Sequence, residues 1–436
     1  MNRYRLQLLS AIASRPQWTK VRLITTQNVV PDPMTGELMT PTPDIQPHLL
    51  QIDKTTNPKT PPPPQTLAFG RTFTDHMLTI PWNVVAGWGI PEIKPYGPIQ
   101  LDPSATGLHY AQTAFEGMKA YRDEASKVSL FRPDMNMKRL NTSARRIALP
   151  TFNGDALIEL IKQLVRVDKH WVPAEPSHSL YIRPNIIGTA KDLSVMPPTE
   201  KRFSMSFSAR WARTTPLDSS QSRCTVQPSL SALLPEVHVV ASAPSLLTIA
   251  AGTGAFKLGV NYGPGVMPQK TAAALGYTQN LWLHGPEHEL TEVGTMNMFV
   301  VFRHRDTLEL VTPPLDGMIL PGVTRDSVLT LAKQHASAND PFTLPRFPSQ
   351  LKLAVSERRV TMKEILAASK EARLVEMFGS GTAAVISPVD RIGYSGEDVL
   401  IPTEEDGMGP VSRAVWTELV GRQWGRIPSE WSVLVD

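Results

Sequence analysis

Cysteine is nearly absent: Cys224 is the one thiol in 436 residues. That excludes an internal disulfide framework and any CxxC zinc or redox pair, and it points to a reducing compartment. No run of about 18 apolar residues occurs, so no membrane-spanning helix is expected. Charged residues are 19% of the chain and hydrophobic residues 41%, the balance of a soluble globular protein. The net charge of +4 is spread along the chain. It gives no reason to invoke nucleic acid and is compatible with an anionic small ligand. No internal repeat is visible. The length suits two domains of about 100–200 residues each.

Acidic residues are missing from positions 1–31, which carry Arg3, Arg5, Arg15, Lys20 and Arg22. On a helical wheel Arg3, Gln7, Ser10 and Ser14 share a polar face. Leu6, Leu8, Leu9 and Ile12 fall on the remaining arc, which Arg5 interrupts. Residues 1–30 therefore read as a mitochondrial transit peptide. The alternative is a disordered basic tail on a cytoplasmic protein. Residues 31–64 hold ten prolines. The stretch 31–66 reads as a proline-rich arm, with ordered structure expected from Leu67.

Residues 67–203 show the mixed pattern of a small N-terminal domain. Asp155 is expected to cap a helix whose Leu157, Leu160, Ile161, Leu164 and Val165 follow the 3.6-residue period. The word SLYIRPNIIG (179–188) reads as a strand with Tyr181 and Arg183 on one face. Residues 203–245 contain ten serines and no sustained period. The span 204–250 reads as an atypical interdomain connection, long for a loop in a compact protein. A larger C-terminal domain, 251–436, is expected to hold strands at 297–304 and 308–317. It also offers a helix at 321–334 and a Gly-rich turn running into a strand at 379–389.

The word GTGAFKLG (252–259) fails two familiar patterns. A P-loop needs Gly-Lys-Ser/Thr, yet Lys257 stands between Phe256 and Leu258. A dinucleotide fingerprint needs a third glycine where Lys257 stands. A lysine in apolar surroundings is a candidate nucleophile, because burial lowers its pKa; a lysine snorkelling to water is the ordinary alternative. PGVTR (321–325) opens a helix whose free amides and dipole suit an anion, and GSGT (379–382) offers Thr382 as a donor. Arg139 has the geometry to clamp a phosphate, although a surface arginine is its ordinary reading. His284 and His288 lie in a Gly-Pro turn without a third ligand, so no metal is expected.

Taken together, these words resemble the branched-chain amino acid aminotransferases. The matching text is FGRTFTDHM (69–77), LHYAQTAFEGMKAY (108–121), LFRPDMNMKRL (130–140) and SLYIRPNIIGT (179–189). It continues with FKLGVNYGP (256–264), LWLHGPEHELTEVGTMNMF (281–299), LELVTPPLDGMILPGVTR (308–325) and FGSGTAAVISPV (378–389). The resemblance implies the D-alanine-aminotransferase-like fold of class IV aminotransferases. That fold is α/β, an α+β small domain plus a larger α/β domain. The cofactor it implies is pyridoxal 5'-phosphate (PLP), and the partners are amino acids, 2-oxo acids and a second copy of the chain.

Residue by residue, the resemblance puts Lys257 in the place of the Schiff-base lysine and Glu292 opposite the pyridine nitrogen. Tyr262 matches the tyrosine at the ring oxygen. Arg139, Val323, Thr324 and Thr382 match the phosphate site, and Thr295 a cofactor-contacting turn. Tyr110, Phe115 and Tyr181 match the walls of the side-chain pocket. Arg183 matches the arginine that receives the distal carboxylate of glutamate. Thr382 and Ala383 match the amides at the substrate's α-carboxylate. The implied reaction is transamination of leucine, isoleucine and valine with 2-oxoglutarate.

Two departures stand out. Animal mitochondrial members carry a CxxC where this chain has Ala384 and Ser387. Residues 204–250 do not look like the family at all. A shifted frame or retained intron would impair the product, whereas true divergence would suit an enzyme of altered substrate range.

Overall fold

The computed structural model describes residues 30–31, 38–39, 42–63, 66, 69–175, 178–193, 195, 203–213, 224–226, 252–404 and 407–436. Of 30–31, 38–39, 203–213 and 224–226 it describes the backbone alone. The expected basic leader, up to position 29, lies outside the described residues, as does most of 204–250. The chain divides into residues 1–43 and 44–436. In the first unit, Val30–Pro31 pairs antiparallel with Leu38–Met39.

The second unit holds two sheets. Among the described residues the first has ten strands. Its path runs Ser432–Leu434, Val128–Phe131, Met118–Arg122, His178–Gly188, Phe203–Arg213, Phe73–Asn83, Glu92–Pro95 and Gln51–Ile52. The second sheet has nine, on a path of Cys224–Val226, Val385–Tyr394, Leu374–Gly381, Met296–His304, Glu289–Val293 and Leu281–His284. Helices Pro133–Arg146 and Gly154–Val167 cover the first sheet and share its core. A further core joins the sheets: Tyr121 and Phe131 from the first pack with Phe299, Phe378 and Val411.

The helix Gly154–Val167 buries Leu157, Leu160, Ile161, Leu164 and Val165, the apolar stripe that its period predicts. Its cap is Asn153, not Asp155. The Asn153 side chain accepts the Ala156 amide at 3.1 Å from an extended backbone, whereas Asp155 is already inside the first turn. The strand expected over 308–317 is Thr307–Thr312, because Pro313 and Pro314 offer no N–H to a ladder. The Gly-rich turn expected from 379 begins later: Gly379 and Gly381 end strand Leu374–Gly381, and the turn at 382–384 joins it to the antiparallel strand Val385–Tyr394.

Two regions order where none was expected. Residues 203–213, read as connection, form a strand between His178–Gly188 and Phe73–Asn83. In the proline-rich arm, Ile45 is buried in the first core and Gln51–Ile52 pairs in parallel with Glu92–Pro95. The ten residues between Pro47 and Pro58 are proline-free, so their amides are available to an edge.

The strand His178–Gly188 changes neighbour midway. Residues 180–182 pair with Met118–Arg122, and 185–187 pair with Thr113–Phe115. Pro184, which has no N–H, sits at the changeover, and its carbonyl accepts the Glu116 amide at 2.8 Å. Glu116 and Gly117 leave the ladder at this break. Only glycine fits at 117, since a Cβ there would lie 2.0 Å from the Tyr181 hydroxyl oxygen.

Candidate active site

Lys257 is held at both backbone groups. Its amide donates to Ser143 Oγ at 2.8 Å, and its carbonyl accepts the Phe115 amide at 3.1 Å. The turn before it is closed by Asn261, whose Nδ2 donates to the carbonyls of Thr253 and Phe256 at 2.8 Å each. Lys257 Nζ donates to the Tyr262 hydroxyl at 3.1 Å and lies 4.9 Å from the centre of the Phe115 ring. Burial lowers its pKa to about 8, with Arg139 and Arg183 adding to that and Glu116 and Glu292 opposing it. Burial also raises the pKa of Tyr262, so its hydroxyl stays protonated.

Glu292 comes from strand Glu289–Val293. Its Oε1 accepts the Leu320 amide at 3.0 Å and Asn297 Nδ2 at 3.2 Å. Asn297 Nδ2 also donates to the Leu320 carbonyl at 2.8 Å. Among the described residues Oε2 makes no hydrogen bond. Burial raises the Glu292 pKa to about 7, against the pull of the Leu320 amide, Lys257 and Arg139. A carboxyl so poised is ready to hold a proton at a ring nitrogen.

Arg139 projects from helix Pro133–Arg146 and is buried. Its Nη1 donates to the Pro321 carbonyl at 3.0 Å. Pro321 directly precedes Gly322, the cap residue of helix Val323–Ala336, and no side chain caps that helix. The amides at Val323 and Thr324 and the positive end of the helix dipole thus meet a guanidinium, which is an anion cradle.

Arg183 lies 4.7 Å over the Phe115 ring and 5.2 Å from the Tyr181 ring. Its Nη2 donates to the Tyr181 hydroxyl at 2.9 Å, and its buried Nε has no hydrogen-bond partner among the described residues. Thr382 and Ala383 occupy the turn between the two antiparallel strands. Lys119, 1% exposed, donates to the Ala383 carbonyl at 2.7 Å and so fixes that turn from the other sheet. Burial lowers the Lys119 pKa to about 7.

Lys257, Tyr262, Phe115, Tyr181, Arg183, Arg139 and Glu292 therefore form one cluster, with Val323 and Thr324 at its anion end. Two expected members stand apart. Tyr110 is 41% exposed, and its hydroxyl donates to the Leu193 carbonyl. Thr295 is exposed on the turn after Glu289–Val293. Sequence reading missed Glu116, Lys119, Ser143 and Asn297. Glu116 and Lys119 did carry a signal, as an acid and an amine inside the otherwise apolar AFEGMKAY (114–121).

An amine near neutrality, a buried carboxylate and an anion cradle in one cluster fit a phosphorylated pyridine aldehyde. Among the described residues no His, Cys, Asp and Glu group suits a metal.

The family model described as "Amino-transferase class IV" matches residues 113–392. The mitochondrial branched-chain-amino-acid aminotransferase of Saccharomyces cerevisiae is 45% identical over 88% of this chain and 92% of that protein. Its cytosolic counterpart is 44% identical over 88% of this chain and 96% of that protein. A crystal structure of the Escherichia coli branched-chain amino acid aminotransferase superposes with a TM-score of 0.60 at 23% identity, covering 82% of this chain and 99% of that one. A class IV model over most of the chain and close relatives over nearly all of it converge with the lysine-centred cluster: the chain belongs to the branched-chain amino acid aminotransferase family of class IV aminotransferases.

Proposed function

We propose that the chain transfers the amino group of leucine, isoleucine and valine to 2-oxoglutarate, with PLP as cofactor. The observation that carries this reading is the Lys257 amine, held 3.1 Å from Tyr262 within one cluster with Glu292 and Arg139. When bound, the cofactor supplies an electrophilic aldehyde and a ring that takes up electrons from a deprotonated α-carbon. Lys257 would hold that aldehyde through its neutral amine and, when free, would act as the base and acid for the substrate's α-proton. Tyr262 keeps the amine oriented. Glu292 would hold the proton on the ring nitrogen through Oε2. Arg139, Val323, Thr324 and Thr382 hold the phosphate, and Thr382 with Ala383 the α-carboxylate. A solved relative from Thermobaculum terrenum, 22% identical with a TM-score of 0.57, was crystallised in its PLP form. That likeness supports the fold, and the chemistry of the donors here supports the same class of ligand.

Substrate choice follows from the walls. Phe115 and Tyr181 give an apolar face to a branched side chain. Arg183 lies over the same rings, so it adds a charge at the edge of that apolar face. Its spare Nε meets a distal carboxylate only when the substrate has one.

We also propose a homodimer. Leu108, Tyr110, Leu193 and Val195 are 58%, 41%, 60% and 79% exposed. The Tyr110 hydroxyl bonds the Leu193 carbonyl, and we assign the exposed apolar side chains beside that bond to a surface that a partner covers. Tyr110, expected as a pocket wall, then serves the partner's pocket.

Lys257→Ala is expected to fold and to lose transamination. Peptide mapping after borohydride reduction places the phosphopyridoxyl mass on Lys257 in the parent protein, and a mass on any other lysine would overturn the assignment. A pKa of about 8 leaves roughly a quarter of the amines neutral at pH 7.5, against about one in a thousand at the ordinary value. The rate of PLP attachment should therefore climb about tenfold per pH unit below 8 and level off above it. A climb that continues past pH 9.5 would show an unshifted amine. Arg183→Gln removes a charged hydrogen bond of about 1.5–3 kcal/mol, so KM for 2-oxoglutarate should rise roughly 10- to 150-fold while KM for leucine changes less than about threefold. Equal changes in both constants would place Arg183 outside the carboxylate site. Leu108→Glu should lower the sedimentation mass from dimer towards monomer; an unchanged dimer would move the interface elsewhere.

A further inference from the structure

We propose that Glu116 is a positioning residue for the cofactor's phosphate, acting through the fork of Arg139. The proposal rests on the assignment of Arg139 to that phosphate.

Glu116 is 0% exposed and lies at the break where the first sheet changes pairing. Four donors converge on its carboxylate. Arg139 Nε reaches Oε1 at 2.6 Å and Arg139 Nη2 reaches Oε2 at 2.8 Å. Asn136 Nδ2 donates to Oε2 at 2.7 Å, and the Gly117 amide donates to the same oxygen at 3.0 Å. Burial alone would raise the Glu116 pKa, but the guanidinium overrides it and holds the carboxyl below its ordinary value. The carboxylate is ionised, saturated and rigid.

A guanidinium has five N–H groups in one plane. Glu116 takes the Nε edge in a bidentate grip, which fixes the plane. Nη1 then donates to Pro321, one residue before the uncapped helix start at Gly322. Arg139 is thereby held at the start of helix Val323–Ala336, which no side chain caps. A buried ion pair is not needed to fill this volume, since apolar residues of the same size do so at no loss of stability. What a carboxylate adds is direction. Without it Arg139 retains its charge and loses its aim. Gly117 and Pro184 point the same way, since both serve the break that lifts Glu116 out of the ladder and under Arg139.

Glu116→Gln tests this, because it keeps the volume and replaces one acceptor oxygen with a donor. In one orientation that donor faces Arg139 Nε, and in the other Arg139 Nη2 and Asn136 Nδ2, so the fork cannot close. Dissociation constants for PLP and for pyridoxal, which lacks the phosphate, are measured on full-length protein stripped of cofactor, by absorbance titration. Glu116→Gln should weaken PLP about 10- to 100-fold, the range for groups that orient a ligand's direct partners, and change pyridoxal less than about twofold. Arg139→Gln should do the same, and the double variant should be no worse than Arg139→Gln alone.

The outcomes separate cleanly. If Arg139→Gln leaves the PLP-to-pyridoxal ratio unchanged, the phosphate assignment itself fails. If Arg139→Gln collapses that ratio and Glu116→Gln does not, the assignment stands and the proposal falls. Equal weakening of PLP and pyridoxal by Glu116→Gln also overturns it, since a merely structural residue would do that. Should Glu116→Gln not fold by circular dichroism, Glu116→Asp keeps the charge and withdraws it by one methylene. A PLP-selective loss in that variant supports the proposal. A selective loss in neither, or failure of both to fold, assigns Glu116 to the folding framework instead.

Discussion

The amide of Phe115 donates to the carbonyl of Lys257, and a bridge between Ala114 and Leu258 extends that contact by one residue. Through these bonds the loop bearing the amine becomes an extension of the first sheet. Ser143, from a helix packed on that sheet, fixes the Lys257 amide from the other side. A nucleophile on a free loop would sample many positions; one tied to a sheet and a helix is held within the tolerance that chemistry needs. The same short strand then continues into the break at Glu116. Three consecutive residues, Ala114, Phe115 and Glu116, therefore set the Lys257 amine, the Phe115 ring and the Arg139 guanidinium together.

The sheets meet where the site is, and the contacts between them are polar as well as apolar. Lys119 reaches from the first sheet to the Ala383 carbonyl on a turn of the second. Arg139 reaches from the first core to the Pro321 carbonyl at the start of a helix on the second. Each contact joins a side chain of one half to a backbone carbonyl of the other, so the anion cradle is complete only when both halves are folded. Ligand binding at such a junction stabilises their packing by mass action.

Legibility in the sequence followed the range of the forces involved. The stripe Leu157, Leu160, Ile161, Leu164, Val165 and the strand at 179–188 are local periods, and both were readable. The alternation of Phe203, Met205 and Phe207 with three serines was equally local, but the serine count outweighed the period of two. The Gln51–Ile52 edge was hidden by prolines that flank it without entering it. Lys257 and Glu292 were legible only through long family-like words, because no spacing rule brings them together. The breaks and cross-sheet contacts that aim Arg139 and pin Ala383 arise from tertiary pairing around Pro184, which no local window contains.

Electrostatics in the cluster depend on which charges are already committed. Lys257, Arg139 and Arg183 supply three cationic groups, and Glu116 and Glu292 supply two carboxylic ones. If both acids were free to pair with Lys257, they would hold its amine protonated, and it would be a poor nucleophile. Neither is free. Glu116 is gripped by Arg139, Asn136 and the Gly117 amide, and Glu292 Oε1 by the Leu320 amide and Asn297. Burial and the two guanidiniums then prevail over the two acids in setting the Lys257 pKa. The amine's pKa falls towards neutrality because burial outweighs the pull of both acids.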